Sequence, residues 1–422
     1  MDVNAVLSEK TCLCGKKHTC EIEAVYIEKD AIGRLSAITA FAKNILLVAD
    51  ENTFKAAGAK TEKALLGKAY KKVIFSGDSI LIPNEEAIKE VRRHMENTDL
   101  LIGIGSGVIQ DLCKYVAFFS KIPYMIVATA PSMDGYASDG AAMILNGMKE
   151  TVKAALPKVI FADTEVLINA PMEMIKAGYG DIIGKFSALC DWKLSQEING
   201  EYFCPYIYDT TYEMIENTLC MAKGLLKREE ESVKALMEAL VVVGVMMRFA
   251  GSSRPASGSE HHLSHFFEIV GIINDEPYLP HGIDVAYGTV ITAAMREKIV
   301  KSEFPDKMNR PSETEIREKI EGIYKSVAEN CVALQEKTGH YAKNRMPLYK
   351  EKEAEIKAIL KECPGEKEIL GMLSEMGFDI KGFYDLYGNK KIEDAVLYAK
   401  DLKDRYTVLW LYFDLFGGAK QG

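Results

Sequence analysis

Five short apolar runs, separated by amphipathic stretches, constrain the fold of this chain more than any other sequence feature. The runs are NILLVAD (44–50), KKVIFS (71–76), DLLIGIG (99–105), YMIVATA (124–130) and KVIFAD (158–163). Between them lie helical patterns such as NEEAIKEVRRHMENT and VIQDLCKYVAFFSK. Apolar runs of this length that alternate with helices are typical of a parallel sheet with helices on both faces. We therefore predict an N-terminal α/β domain, whose ligands bind at the carboxyl ends of the strands.

The pattern changes near residue 170. Long periodic segments such as YEMIENTLCMAKGLLKREEESVKALMEALVVVGVMMRFA dominate from there to the end, and strand-like runs become rare. A chain of 422 residues is too long for one comfortable core, which favours two domains. We predict an α/β domain over residues 1–169 and an all-α domain over residues 170–422.

Composition excludes several classes of protein. The net charge of −9 and the pI near 5.5 argue against a nucleic-acid partner, because phosphate backbones need a basic surface. No apolar stretch reaches the roughly 18 residues of a membrane helix, and MDVNAVLSEKTCLC lacks the layout of a signal peptide. Nine scattered cysteines fit a reducing compartment better than a disulfide framework. We therefore expect a cytoplasmic protein with no membrane partner.

Four of the seven histidines lie within 21 residues, in SGSEHHLSH and LPHGIDVAYG. Histidine is the commonest metal ligand and titrates near neutral pH, so this density indicates a chemical site. A helix over 257–270 places His261 and His265 on one face and turns His262 away. A turn at 280–282 can return His281 to that face. The alternative is a polar helix whose histidines are neighbours by chance.

Two upstream carboxylates can complete a metal site. Catalytic divalent sites typically take three protein ligands and keep one position open. Asp181 lies in AGYGDIIGKFSALCDW, and Asp191 follows ten residues later, which turns it away from Asp181 on a helix. One carboxylate with His261 and His281 would give the set. A mixed imidazole–carboxylate set suits zinc, nickel or iron, and the sequence does not choose among them.

The ends of the predicted strands carry residues suited to a nucleotide. The glycines of GIGSGVIQD (103–111) let backbone N–H groups approach a phosphate at a helix N-terminus, although such turns are common. The pattern differs from the usual G-x-G-x-x-G. Asp50 ends the first run, where it can bind ribose hydroxyls or cap the next helix. Turn formers follow the fourth run, and Asx turns alone can explain them. The polar candidates there are Thr129, Ser132, Asp134 and Ser138.

A second cluster of metal-type residues lies in CLCGKKHTC, which contains Cys12, Cys14, His18 and Cys20. Thiolate and imidazole are the ligands that zinc prefers. The spacing departs from the usual C-x2-C pairs, so a surface hairpin or a mobile lead-in is the alternative explanation.

Taken together, the motifs resemble those of a known family. SRPASGSEHHLSH, HGxxVAxGT from His281, GxGDxxGK around Asp181, APSMDG and GxGSGxxxD occur in order from about residue 22 to 300. They resemble the sn-glycerol-1-phosphate dehydrogenases, in the superfamily of iron-type alcohol dehydrogenases, glycerol dehydrogenases and dehydroquinate synthases. The forms SGSEHH and PSMDG resemble the glycerol-1-phosphate branch.

The resemblance implies an N-terminal Rossmann-like domain that binds the dinucleotide and a helical C-terminal domain that binds the metal and the substrate. The implied reaction is NAD(P)-linked hydride transfer at C2 of dihydroxyacetone phosphate, a small phosphorylated substrate. It implies a divalent metal bound by Asp181, His261 and His281, with His265 as an active-site residue and Asp134 on the substrate side. It also implies a homodimer or a larger homo-oligomer. The residues that match cofactor contacts are Gly105, Ser106, Gly107, Asp111, Asp50, Thr129 and Ser132, and Ser138 is added to them from its position near the sheet edge.

One residue departs from the pattern. Asp139 stands where the family has a small or uncharged residue, and a carboxylate in the pocket would repel a phosphate. Lys153, Lys158 and Arg254 are candidate phosphate partners. A polyol dehydrogenase acting on glycerol, a dehydroquinate-synthase-like lyase and a non-catalytic sensor remain alternatives. Asp50 favours NAD over NADP, because a carboxylate repels the 2′-phosphate.

Overall fold

The computed structural model describes residues 2–79, 81–145 and 148–418. The chain divides into two compact units, Met1–Ile182 with Glu213–Ser252, and Ile183–Tyr212 with Ser253–Gly422. The domain boundary near residue 169 stays a prediction of the sequence.

Ten strands are described. They are β1 (Lys10–Thr11), β2 (Lys17–His18), β3 (Ala24–Glu28), β4 (Asn44–Asp50), β5 (Ala69–Phe75), β6 (Leu100–Gly105), β7 (Tyr124–Ala128), β8 (Gly140–Leu145), β9 (Met148–Lys153) and β10 (Val159–Asp163).

The α-helices of the described residues are α1 (Val3–Val6), α2 (Leu35–Ile38), α3 (Glu51–Ala64), α4 (Glu85–Arg93), α5 (Gly107–Ser120), α6 (Thr164–Leu167), α7 (Met172–Asn199), α8 (Pro205–Leu219), α9 (Ala222–Leu226), α10 (Glu230–Ala250), α11 (Ser259–Asn274), α12 (His281–Lys301), α13 (Glu313–Tyr324), α14 (Ala328–Thr338), α15 (Met346–Glu351), α16 (Glu353–Lys361), α17 (Glu366–Glu375), α18 (Ile380–Tyr398) and α19 (Val408–Phe416). Short 3-10 turns cover Ala31–Arg34, Thr39–Phe41, Asp134–Ala137, Lys325–Val327 and Ala399–Leu402.

The first unit is built on a six-stranded parallel sheet with the order β3-β10-β7-β6-β4-β5. Every residue of β6, β7 and β10 is buried, as continuous apolar strands in a covered parallel sheet should be. The five predicted runs all form strands of this sheet, so the α/β prediction is confirmed. The sixth strand, β3, escaped the prediction because it alternates buried and half-buried residues at the sheet edge.

The strand order fixes where a ligand of this sheet would bind. The chain passes from β4 to β5 on one side of β4 and then returns to form β6 on the other side. Ligands of open α/β sheets bind outside the carboxyl ends of the strands at such a reversal. The residues that end β4 and β6 are Asp50 and Gly105.

The second unit is helical, as predicted. Helices α11 and α12 pack against each other and carry the histidine cluster. The divisions between the units fall at 182/183 and 212/213, inside the unbroken helices α7 and α8, so each of these helices contributes residues to both units. Among the described residues, every helix is too short or too polar to cross a membrane.

Candidate active site

Three imidazoles meet where α11 passes the start of α12. His261 and His265 lie one turn apart on α11, as the spacing predicts, with ring centres 6.3 Å apart. His281 is the first residue of α12, and its ring centre lies 5.0 Å from that of His261 and 5.6 Å from that of His265. The predicted return of His281 to this face is therefore present, although it opens a helix after Pro280 instead of lying in a turn.

Hydrogen bonds at Nδ1 set the tautomers of two of these rings. His261 Nδ1 lies 2.6 Å from Glu260 Oε1, and His281 Nδ1 lies 3.2 Å from the Ser264 hydroxyl. The same hydroxyl donates to the His281 carbonyl at 3.3 Å, so it accepts from Nδ1–H. A proton on Nδ1 puts the lone pair on Nε2, which is the form that a metal ligand needs. Sequence reasoning missed Glu260 and Ser264 as orienting residues.

Asp181 supplies a carboxylate to the same place. It lies on α7, one turn before Gly184, whose position is in close contact with Glu260 and Val285. One carboxylate oxygen of Asp181 and one ring nitrogen each of His261 and His281 all lie within 4.8 Å of one another. Two imidazoles held in the metal-binding tautomer and one buried carboxylate therefore fit a divalent cation.

Asp191 fixes the start of α11 instead of joining the metal ligands, in agreement with its expected turn away from Asp181. Its carboxylate accepts from the backbone N–H groups of Ser259 and Val408, each at 2.6 Å. Burial, and then the charge of Glu260, raise the pKa of Asp191 to about 6. This contact anchors the helix that carries His261 and His265.

The remaining histidine of the cluster, His262, points into the core, as its position on the helix predicts. It is fully buried. Burial, together with the nearby charges of Arg405, Lys403 and Arg254, holds the pKa of His262 well below its ordinary value. His262 is therefore a neutral, packed side chain, whereas His265 stays beside His281.

The predicted cofactor residues lie at the carboxyl edge of the sheet. Gly105 ends β6, Ser106 precedes α5 and Gly107 is its first residue, and the Gly105 carbonyl accepts from the Thr129 amide at 3.1 Å. Asp50 caps α3, with its carboxylate accepting from the Thr53 amide at 2.9 Å. Asp50 therefore caps α3, which was one of its two predicted roles. The cofactor-binding roles of these residues remain predictions.

A buried lysine shapes the turn that follows β7. Lys114 on α5 donates to the Ser138 hydroxyl at 3.1 Å, to the Gly140 carbonyl at 2.9 Å and to the Gly135 carbonyl. Ser138 is therefore occupied in holding the turn. Ser132 is buried in the same turn, where its amide donates to the Ala130 carbonyl.

Two further predicted residues lie beside this turn. The Asp134 backbone N–H donates to Asp181 Oδ2 at 2.9 Å, which ties the turn to the predicted metal ligand. Asp111 lies on α5, with its carboxylate 3.8 Å from the ammonium group of Lys114. Sequence reasoning missed Lys114, because nothing in its local pattern marks it as buried.

Asp139 and the candidate phosphate partner Arg254 both form ion pairs. Asp139 lies 3.5 Å from Arg248, which also binds Glu21. Arg254 makes a two-pronged contact with Glu201 at 2.7 and 2.5 Å.

Lys158 and Lys153 are the two lysines predicted as phosphate partners. The ammonium group of Lys158 lies 3.0 Å from the Glu23 carboxylate. Lys153 ends β9. Lys158 is thus already occupied by an acidic partner, as Arg254 is.

Comparisons with known proteins identify the family of the chain. A family model described as iron-containing alcohol dehydrogenase matches residues 26–171. A relative from Geobacillus thermodenitrificans, named glycerol-1-phosphate dehydrogenase (NAD(P)+), is 32% identical over 303 residues, which cover 70% of this chain and 75% of the relative. A relative of the same name from Halalkalibacterium halodurans is 34% identical over 295 residues, which cover 67% of this chain and 73% of the relative.

Solved structures share the fold at lower identity. Maleylacetate reductase from Rhizobium sp. strain MTP-10005 matches with a TM-score of 0.59 at 15% identity, over 96% of this chain and 98% of that one. Glycerol dehydrogenase from Schizosaccharomyces pombe matches with a TM-score of 0.53 at 19% identity, over 65% and 71%. A six-stranded parallel sheet, a largely helical second unit and a group of one aspartate and two histidines suited to a metal ion are together typical of a metal-dependent dehydrogenase. The chain belongs to the iron-containing alcohol dehydrogenase family, among relatives named glycerol-1-phosphate dehydrogenase.

Proposed function

We propose that the chain interconverts dihydroxyacetone phosphate and sn-glycerol 1-phosphate by NAD(P)-linked, metal-dependent hydride transfer at C2. The observation that carries the proposal is the convergence of Asp181, His261 and His281, with both imidazoles oriented by their own hydrogen-bond partners. The name of the relatives, glycerol-1-phosphate dehydrogenase (NAD(P)+), supports this choice of substrate and of cofactor class.

In this scheme Asp181, His261 and His281 hold a divalent ion, which when bound supplies Lewis-acid polarisation of the substrate oxygen. A bound nicotinamide supplies the hydride, and the carboxyl edge of the sheet positions it. His265, with Asp134 and water, moves a proton to or from the C2 oxygen. Glu260 and Ser264 hold the two ligand rings in the required tautomer.

The same residues limit which metal ion and which nicotinamide cofactor the protein would use. The donor set of one carboxylate and two imidazoles suits zinc, nickel or iron. Asp50 at the end of β4 favours NAD, because its carboxylate would repel the 2′-phosphate of NADP. We further propose a cytoplasmic homodimer or larger homo-oligomer that binds no nucleic acid and no membrane.

The ion pair of Asp139 weakens the case for a free polyol as the substrate. Its carboxylate was the feature that favoured unphosphorylated glycerol, and in the structure Arg248 pairs with it. A paired carboxylate repels a nearby phosphate less than an isolated one does.

A substrate panel tests the proposal. The metal-loaded protein is given dihydroxyacetone phosphate or dihydroxyacetone with NADH or NADPH, and glycerol with the oxidised cofactors, and nicotinamide absorbance is followed. We expect the fastest oxidation of NADH with dihydroxyacetone phosphate. Turnover of the unphosphorylated compounds alone would instead indicate a polyol dehydrogenase. The absence of net oxidation or reduction of the nicotinamide with every compound would contradict a dehydrogenase role. Where a histidine of the site is replaced, His94→Ala, at the end of α4, is the matched control.

A further inference from the structure

A short hairpin at the start of the chain presents three metal-type side chains. Strands β1 and β2 pair antiparallel, with Lys10 opposite His18. Their turn is closed by the Cys12 amide, which donates to the Lys16 carbonyl, and by the Gly15 amide, which donates to the Cys12 carbonyl, each at 3.1 Å. Gly15 has a φ of +84°, which a glycine adopts without strain. The turn brings Cys14 Sγ to 3.5 Å from His18 Nε2.

A fourth side chain joins these three from a distant part of the sequence. Cys204, which is fully buried, immediately precedes α8, one of the two helices that run unbroken through a division between the units. One ligand atom from each of Cys12, Cys14, His18 and Cys204 lies within 4.8 Å of the other three. Two ligands of a tetrahedral zinc ion with zinc–sulfur bonds lie about 3.8 Å apart, so the four atoms are close to that arrangement.

His18 is oriented as a metal ligand. The ring is buried and stacks on Phe249 with centres 5.1 Å apart and planes 18° from parallel. Its Nδ1 lies 3.2 Å from the Phe249 carbonyl, which can only accept, so the proton is on Nδ1 and the lone pair is on Nε2. A metal-binding histidine usually donates its second N–H to a carbonyl or carboxylate in this way.

We propose that Cys12, Cys14, His18 and Cys204 bind a structural zinc ion. Three thiolates and one imidazole form one of the usual sets for structural zinc, and four protein ligands leave no position for a substrate. The ion would stabilise the N-terminal hairpin, whose His18 already stacks on Phe249. This site is separate from Asp181, His261 and His281, and the inference does not depend on the proposed dehydrogenase activity.

Metal content measured by mass spectrometry tests the proposal directly. The protein is loaded with excess zinc and desalted, and zinc per chain is then counted. We expect two ions in the wild type, one in Cys14→Ser, one in Asp181→Ala and none in the double variant. Cys20→Ser and Cys220→Ser are the matched controls, because both cysteines lie outside the four-residue group, and each should keep two ions. Equal zinc content in the wild type and in Cys14→Ser, or no zinc in Asp181→Ala, would overturn the proposal, whereas zinc that is lost in Cys14→Ser but kept in Asp181→Ala supports it even if the active site holds no zinc.

A second measurement covers the case in which Cys14→Ser fails to fold. Cobalt replaces zinc in the wild type and in Asp181→Ala, and the near-ultraviolet spectrum is recorded. Cobalt bound by three thiolates gives strong sulfur-to-metal charge-transfer absorption, which we expect in both proteins. Cobalt-loaded wild type without these bands would show that the cysteines do not bind the ion. A zinc chelator should also lower the melting temperature of Asp181→Ala, and an unchanged value would contradict a structural role.

Discussion

The orientation of His261 by Glu260 gives the most specific prediction at the candidate active site. Glu260 is fully buried, and its Oε1 accepts from His261 Nδ1 at 2.6 Å and from the Gly258 amide at 2.9 Å. Glu260→Gln keeps an oxygen for both donors and removes the charge, whereas Glu260→Ala removes the acceptor. Loss of such partners typically weakens metal binding by about 10- to 100-fold, or roughly 1.4 to 2.7 kcal/mol.

We expect Glu260→Gln near the lower end of that range, because a charged acceptor makes a hydrogen bond roughly twice as strong as a neutral one. Glu260→Ala should fall near the upper end. Zinc affinity is measured by competition with a chromogenic chelator, and Asp181→Ala supplies the baseline for metal bound elsewhere in the protein.

Asp191→Asn is the matched control for this experiment. Asp191 is also buried and also binds a backbone amide at the start of α11, but its carboxylate accepts from the amides of Ser259 and Val408. It should lower the melting temperature and leave zinc affinity nearly unchanged. Equal losses of affinity in Glu260→Gln and Asp191→Asn would show that Glu260 acts by capping the helix, and an unchanged affinity in Glu260→Ala would refute the reasoning.

Two further predictions concern stability. A Cβ at Gly178 would lie 1.9 Å from the Pro131 carbonyl oxygen, so Gly178→Ala should lower the free energy of unfolding, measured with urea, by about 1–3 kcal/mol. Gly371→Ala, with open space around it among the described residues, should raise it by about 1 kcal/mol. A Gly178→Ala protein as stable as the wild type would contradict the close packing. Burial lowers the pKa of His340 to about 4 from 6.5, so the unfolded chain binds more protons between these values and stability falls as the pH drops through them. His340→Gln should therefore lose less stability than the wild type over that range, and parallel losses would argue against a buried neutral imidazole.

The sequence predicted those parts of the fold and site that depend on local pattern. The buried central strands stand out as apolar runs, and the i, i+4 spacing of His261 and His265 predicts a shared helix face. Edge strand β3 and the hairpin of β8 and β9 were missed, because partly exposed strands carry mixed residues.

Contacts between distant residues were beyond local pattern. Asp181 was one of two carboxylates that the spacing argument allowed, and the family resemblance chose it. Asp191 holds Ser259 across 68 positions, and Cys204 joins the N-terminal cysteines from α8. Nothing in the residues around either side chain marks it as buried beside its partner, so only the folded chain shows these pairings.

The central claim is that Asp181, His261 and His281 hold the metal on which reduction of dihydroxyacetone phosphate depends. The most direct test compares zinc content and NADH oxidation in the wild type and in His281→Ala, with His94→Ala as control. We predict that His281→Ala loses one zinc ion and its activity together, while His94→Ala keeps both. Full activity in a His281→Ala protein stripped of metal would contradict the account.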